Sequence, residues 1–209
     1  MKDDRFFKDP LLPFAELRYS RASDAPYKPH IHQCFSIGAV NKGTVEYDVG
    51  GTKDFLAPGS LVLINPEILH VCNPAGQNAR SYYMLHLDTP WCFQVQQSMW
   101  EADRFIATEE IRIDDDALYD RFCRTMENLM DKKLLLQEKE QMLYELACDL
   151  FSISCRPQTA KTEHKEDIET LKKLLSQDLE KDLPLSILAG ELDANPYTLI
   201  RSFKAACGI

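Results

Sequence analysis

The period of the apolar residues changes near residue 98, and this change divides the chain into two kinds of structure. Between residues 10 and 90, short apolar runs alternate with polar residues and are separated by turn formers such as Asn41-Lys42-Gly43 and Gly50-Gly51. Runs of this kind at spacings of roughly 8–12 residues, with no helical pattern between them, are typical of antiparallel sandwiches and barrels. Beyond residue 98 the apolar residues recur with a helical period. The sequence therefore predicts an α+β chain in which an N-terminal antiparallel β-barrel is followed by helices.

Two helices are predicted directly after the strands. The acidic run Asp114-Asp115-Asp116 is a suitable N-terminal cap. The apolar residues that follow it share one helical face, at Leu118, Phe122, Met126 and Leu129. A second helix is predicted from about Glu138 to Ser154, where Arg156-Pro157 ends it. This hairpin has more apolar surface than one helix needs, which favours a homodimer formed through the helices of residues 116–154.

A polar segment precedes a purely helical C-terminal part. Residues 156–167 contain almost no large apolar residue, and they predict a linker between a domain at 1–155 and a segment at 168–209. In that segment, SILAGEL and the helix that begins at Asn195-Pro196 have the pattern of a helix–turn–helix. The last helix has cations, Arg201 and Lys204, and no acid. This suits contact with DNA phosphates, although from charge alone a plain three-helix packing unit is equally compatible.

Composition narrows the class of protein further. A chain that is 44% apolar and 27% charged is an ordinary globular protein. The net charge of −9 argues against a surface adapted to nucleic acid or anionic lipid, although one small DNA-reading element remains compatible with it. Seven cysteines without a CxxC pair, and a start without an apolar core, predict a reducing, cytoplasmic location. No apolar run approaches the length of about 18 residues that a membrane span needs, so no membrane partner is expected.

Histidines form the main candidate site. The pair His30-x-His32 places two imidazoles on one face if the segment is a strand. The runs His30-x-His32-x3-Ser36-x6-Gly43 and Gly59-x10-His70 resemble the two motifs of the cupin β-barrel, and this implies that His70 joins the pair. In metal-binding cupins a glutamate completes the site, and Ser36 occupies its position here. His30, His32 and His70 are therefore an alternative metal site, but without the carboxylate we expect no metal, no cofactor and no catalytic residue.

Further polar residues occupy alternating strand positions from which they can line the barrel interior. With the three histidines they form the predicted effector site: His30, His32, Tyr47, His70, Tyr82 and His86. The alternative is that the tyrosines and His86 belong to the core, with their polar tips satisfied. The content of His and Tyr favours a small polar effector.

Two longer segments resemble one family. The run LxxLAxxLxxxPxxLxRxFKxxxG, from Leu185 to Gly208, resembles the first helix–turn–helix of AraC-type transcriptional regulators. Upstream, LAPGSLVLINPEILHVCNP resembles the effector-binding cupin domain of the same family, and the order of the parts is the same. The resemblance implies an effector-controlled regulator that contacts promoter DNA through Asn195, Tyr197, Thr198, Ile200, Arg201 and Lys204. The second helix–turn–helix unit of that family does not follow here, so we expect a truncated chain that binds DNA weakly.

Two other functions were compatible with parts of the sequence. A metal-dependent cupin enzyme, a dioxygenase or an isomerase, would use the three histidines but has no need of the C-terminal segment. A purely structural interaction module is the other alternative, and a basic, exposed recognition helix argues against it. Because neither explains both parts, the sequence predicts a regulator and not an enzyme.

Overall fold

The computed structural model describes residues 3–76 and 78–156 and, beyond these, residues 171, 173, 185–192, 199, 200, 203 and 204. The chain divides into two compact units, one made of Met1–Cys92 and Ala107–Arg156 and the other of Phe93–Ile106 and Pro157–Ile209. Within the described residues, no helix is both long and apolar enough to cross a membrane.

The first 156 residues contain strands followed by helices. In chain order they are β1 (Asp3–Lys8), β2 (Ala15–Ser23), β3 (Phe35–Lys42), β4 (Val45–Val49), β5 (Thr52–Leu56), β6 (Ser60–Ile64), β7 (His70–Pro74), β8 (Arg80–Leu87), α1 (Thr89–Met99), β9 (Arg112–Asp114), α2 (Asp116–Met130) and α3 (Leu136–Ser154). A further helix, α4 (Leu185–Glu191), lies in the C-terminal segment. The predicted order of strands first and helices second holds for the larger elements, but α1 precedes the short strand β9.

The strands form two antiparallel sheets. The larger sheet has the order β1-β2-β8-β3-β6-β9, and the smaller has the order β5-β4-β7. One core cluster joins the sheets face to face, with Val62 and Tyr82 from the larger sheet and Val45 and Tyr47 from the smaller. The expectation of a barrel is therefore corrected: the fold is cupin-like and mostly antiparallel, but the sheet is not closed. The chain passes from β5 to β6 through a turn at Pro58, and these two strands form no ladder in the described structure.

Two glycines of the cupin-like motifs are required by the backbone. Gly43 has a φ of +82°, and a Cβ atom there would lie 2.9 Å from the carbonyl oxygen of Ala79. Gly59 has a φ of +99° in the turn that leads into β6. L-residues with a side chain rarely adopt such angles. The spacing of these glycines therefore reflects the turns that bring the histidine segments together.

The helical hairpin covers the larger sheet. The side chain of Asp115 accepts a hydrogen bond of 2.9 Å from the backbone N–H of Leu118, so the predicted cap is confirmed. Helix α2 contacts β1, β3, β6 and β8, and its predicted apolar residues are buried, at Leu118, Phe122, Met126 and Leu129. From α3, the ring of Phe151 lies 5.5 Å from that of Phe35 on β3. The apolar stripe of this hairpin is therefore largely used inside the chain.

The C-terminal segment is described in part. Leu171, Leu188, Ala189 and Leu199 form a buried cluster, and Leu192 and Phe203 pack against it. Ile200 and Lys204 are helical and half-buried. The other residues expected to contact DNA, Asn195, Tyr197, Thr198 and Arg201, lie outside the described residues, as does nearly all of the linker predicted at 156–167. The helix–turn–helix therefore stays a prediction.

Candidate functional site

A cavity of about 180 Å³ lies between the two sheets. The structure places every residue predicted for the effector site on its wall: His30, His32, Tyr47, His70, Tyr82 and His86. Apolar side chains from both sheets complete the wall, among them Val40, Val45 and Val62. The predicted set is thus brought together in space.

The first histidine pair converges on His70 for a reason that differs from the prediction. His30 and His32 precede β3 and are not in a regular strand. Instead, His30 and His70 form an isolated antiparallel bridge, in which each backbone N–H donates to the other's carbonyl oxygen at 3.0 Å. The ring of His30 lies 4.8 Å from the ring of His32 and 4.5 Å from that of His70. This backbone bridge, and not strand alternation, holds the cluster.

Hydrogen bonds fix the tautomers of two of these rings. His30 Nδ1 lies 2.7 Å from the carbonyl oxygen of Lys28, and His70 Nδ1 lies 2.8 Å from that of Ile68. Because a carbonyl oxygen only accepts, Nδ1 must donate its proton in both rings. In the neutral rings, Nε2 is then left with a lone pair for a ligand or a metal.

His86 on β8 extends the cluster. Its ring lies 4.8 Å from that of His32, and its Nδ1 atom shares a hydrogen bond of 2.8 Å with the hydroxyl of Ser36. Ser36 and His86 are direct cross-strand partners of β3 and β8. At the position where metal-binding cupins have a carboxylate, this chain therefore has the hydroxyl of Ser36. The imidazole of His86 lies next to it.

Burial keeps three of the cavity imidazoles neutral. It lowers the pKa of His32, with repulsion from His30 and His70 acting in the same direction. Burial also lowers the pKa of His70, and the hydrogen bond to Ile68 opposes this in part. For His86, burial lowers the pKa to about 4, and His32 adds to the effect. Near pH 7 these three rings are hydrogen-bonding groups without charge.

The three-histidine set suits a divalent metal in the type of its donors, and small movements of the rings would bring these donors to coordinating distance. The ligand atoms of His30, His32 and His70 lie within 4.8 Å of one another. Nitrogens bound to tetrahedral zinc at about 2.1 Å stand only about 3.4 Å apart. A metal bound by all three histidines would therefore have to draw the rings together. No Asp or Glu is among the described residues that line the cavity, so none of them offers a carboxylate ligand.

A second polar group of the cavity was missed in the sequence. Arg18 on β2, Tyr27 in the β2–β3 connection and Arg80 at the start of β8 also line the cavity. A lone arginine in a strand usually faces solvent, so nothing local distinguishes these two. The sequence held no signal for them, because their place follows from the pairing of β2 with β8, in which Ser20, on the same face as Arg18, lies opposite the cavity residue Tyr82.

A family model decides what this unit is. The model described as AraC-like ligand binding domain matches residues 15–147, which is more than half of the chain. The chain belongs to the AraC-like ligand binding domain family. The matched residues include the cavity of the AraC-like domain and both histidine motifs. No curated protein matches this chain.

Several solved structures are similar to this AraC-like chain to different degrees. Apo ToxT K231A from Vibrio cholerae is 13% identical, with a TM-score of 0.52 over 94% of this chain and 76% of that chain. A cupin 2 conserved barrel domain protein from Rhodopseudomonas palustris is 22% identical, with a TM-score of 0.36 over 40% of this chain and 59% of that chain. Oxalate decarboxylase from Bacillus subtilis is 14% identical, with a TM-score of 0.34 over 38% of this chain and 22% of that chain.

Proposed function

We propose that this protein is a DNA-binding transcriptional regulator whose AraC-like domain senses a small effector in the histidine-lined cavity. The observation that carries the proposal is the cavity itself, which lies inside the matched ligand binding domain and is lined by the four histidines and by Tyr47 and Tyr82. Neutral imidazoles and tyrosine hydroxyls both donate and accept hydrogen bonds. Such a wall suits the recognition of a small polar effector.

The DNA-binding half of the proposal rests on the C-terminal segment. Its buried apolar cluster of Leu171, Leu188, Ala189 and Leu199 supports a small packed helical unit. In the helix predicted to begin at Asn195-Pro196, the resemblance to AraC-type regulators implies that Arg201 faces the major groove. An arginine is the best donor for a bidentate contact with guanine.

The test is a titration of the chain on DNA from upstream of its own coding sequence, against a scrambled DNA of equal length. We expect about tenfold or greater preference for the native DNA. The Arg201→Ala variant should lose this preference, since one bidentate contact is worth about 1–3 kcal/mol. A matched Arg104→Ala variant, at an exposed position outside this segment, should keep it. Equal binding of both DNAs by the wild-type chain would refute the proposal.

A metal-dependent enzyme is the second candidate, and the convergence of His30, His32 and His70 is the observation that favours it. Elemental analysis of untagged protein, purified without added metal, separates the two functions. For the regulator we expect no stoichiometric metal. One equivalent of iron, manganese or nickel that is lost in a His70→Ala variant would instead favour the enzyme.

A further inference from the structure

One part of the cavity wall carries positive charge. The guanidinium groups of Arg18 and Arg80 lie 5.7 and 5.6 Å from the ring centroid of Tyr27. The Tyr27 hydroxyl shares a hydrogen bond of 2.7 Å with the hydroxyl of Tyr82. Burial raises the pKa of Tyr82 to about 12, so that its hydroxyl keeps its proton. Two cations and two hydroxyls thus form a polar corner, defined here by Arg18, Tyr27, Arg80 and Tyr82.

Arg80 is a buried cation without an ionised partner in the described structure. It is only 1% exposed. Its guanidinium donates to the carbonyl oxygens of Ser23, Ala25 and Cys72 at 3.1–3.4 Å. Carbonyl dipoles hold the group in place but do not neutralise its charge. A buried charge of this kind is compensated best by an anion.

Arg18 is neutralised only in part. One terminal nitrogen donates to the carboxylate of Asp4 at 2.9 Å, in a pair whose side chains are 32% and 25% exposed. Its Nε atom is buried and has no hydrogen-bond partner among the described residues. An unsatisfied buried donor is costly, and an acceptor in the cavity would satisfy it.

The rest of the wall supplies no negative charge. The chain has 33 acidic and 24 basic residues, yet no Asp or Glu is among the described residues that line the cavity. The nearby imidazoles of His32, His70 and His86 are neutral near pH 7, because burial lowers their pKa values. The cavity is therefore electropositive inside an acidic protein.

We propose that the cavity binds a small organic carboxylate whose carboxyl group is seated on Arg18 and Arg80. The apolar body of the acid then packs against Val40, Val62 and Met84, which line the same space. The paired hydroxyls of Tyr27 and Tyr82 complete the donors around the carboxylate. This inference rests on the proposed function, since it names the chemical class of the effector.

The volume of the cavity sets the size of the acid. At about 180 Å³ it is slightly larger than an engineered cavity of about 150 Å³ that holds benzene. A carboxylate on a single six-membered ring, or on a chain of about six carbons, fills such a space. Benzoate and hexanoate are therefore the probes, and benzamide and hexanamide are their neutral counterparts.

The experiment is a calorimetric or NMR titration of the full chain with each probe at pH 7, without DNA. We expect at least one acid to bind about tenfold more tightly than its amide, as the charged hydrogen bonds predict. The Arg18→Gln variant should lose this difference, and the exposed Arg104→Gln variant should keep it. The Asp4→Asn variant should bind the acid more tightly, because no carboxylate then competes for Arg18. A purely structural role of the Arg18–Asp4 pair would instead weaken binding in both variants.

Two outcomes would overturn the proposal: no binding of either acid at about 10 mM, which corresponds to a free energy weaker than about −3 kcal/mol, or equal binding of the acids and their amides. Circular dichroism confirms that each variant is folded. Because the titration contains no DNA, its failure leaves the proposed regulator function untouched. If the chain binds an acid but does not discriminate between the two DNAs, the proposed regulator function is wrong. The proposal that the cavity binds a carboxylate then still holds.

Discussion

His86 shows how one buried imidazole couples the cavity to stability. Burial lowers the pKa of this residue to about 4, whereas an imidazole in the unfolded chain titrates near 6.5. The unfolded chain therefore binds a proton at pH values where the folded chain does not. By linkage, acid must favour unfolding in this interval.

We expect the contribution of His86 to the free energy of unfolding to be fully present above pH 6.5 and to be lost as the pH falls towards 4. A pKa shift of this size corresponds to about 3 kcal/mol of that free energy. Urea titrations in the presence of EDTA measure it as the free energy of unfolding at pH 7 and at pH 4. The His86→Gln variant should lose about 3 kcal/mol less than the wild type over this range.

The control for this prediction is His164→Gln, which keeps all four cavity histidines and should follow the wild-type pH dependence. If His86→Gln and the wild type lose the same free energy between pH 7 and pH 4, the buried ring is not the source of the effect.

At the scale of single residues, spacing predicted the histidines but not the arginines. The run from Gly59 to His70 and the pair His30-x-His32 are spacing motifs that one sequence can reveal, although the bridge between His30 and His70 that brings them together is a tertiary contact. Arg18 and Arg80 acquire their role from the pairing of β2 with β8, which lies in the tertiary structure. Nothing within a few residues of either arginine specifies that it points into a cavity.

Among the elements, the turn residues predicted strands β3 to β8 well, and the acidic cap predicted the start of α2. Strand β1 was missed, because DDRFFK is too charged to stand out as a strand. This segment forms a strand because it pairs with β2, and the local sequence does not indicate that pairing. Strand β9 has only 3 residues and is defined by its pairing with β6. The division into two sheets was also unpredictable, since alternation alone does not say which edges join.

The helical hairpin gives a prediction about assembly. Its apolar stripe is buried within the chain, so a homodimer through residues 116–154 must use what remains on the surface. Leu135 and Ile153 are large apolar residues of this segment that are 64% and 53% exposed. Their burial against a symmetry mate removes apolar area at about 25 cal/mol per Å².

We expect light scattering to give twice the mass of the chain, and a Leu135→Glu/Ile153→Glu variant to give the monomer with unchanged circular dichroism. The matched control is Ile187→Glu, because Ile187 is 51% exposed on α4, outside the hairpin. A wild-type monomer at high micromolar concentration would contradict the dimer, and a dimer that survives the double substitution would contradict this interface.

For the whole molecule, the balance of charge opposes the proposed contact with DNA. The net charge of −9 opposes association with a polyanion. The C-terminal residues 195–209, where the DNA contacts are predicted, hold two cations, Arg201 and Lys204, and no acid. Affinity for DNA must therefore come from few contacts, and the salt dependence of binding counts them.

If a dimer places Lys204 of each subunit on a phosphate, the logarithm of the binding constant falls with the logarithm of the salt concentration with a slope of about −1.8. Between about 50 and 200 mM salt this corresponds to roughly a tenfold loss of affinity. The Lys204→Gln variant removes both of these contacts, so its slope should fall towards zero. A matched Lys53→Gln variant, whose lysine is 70% exposed on β5 and paired with Asp48, should keep the wild-type slope. Titrations at several salt concentrations on the upstream DNA measure all three slopes. An unchanged slope in Lys204→Gln would show that the helix containing Lys204 does not carry the contacts to DNA.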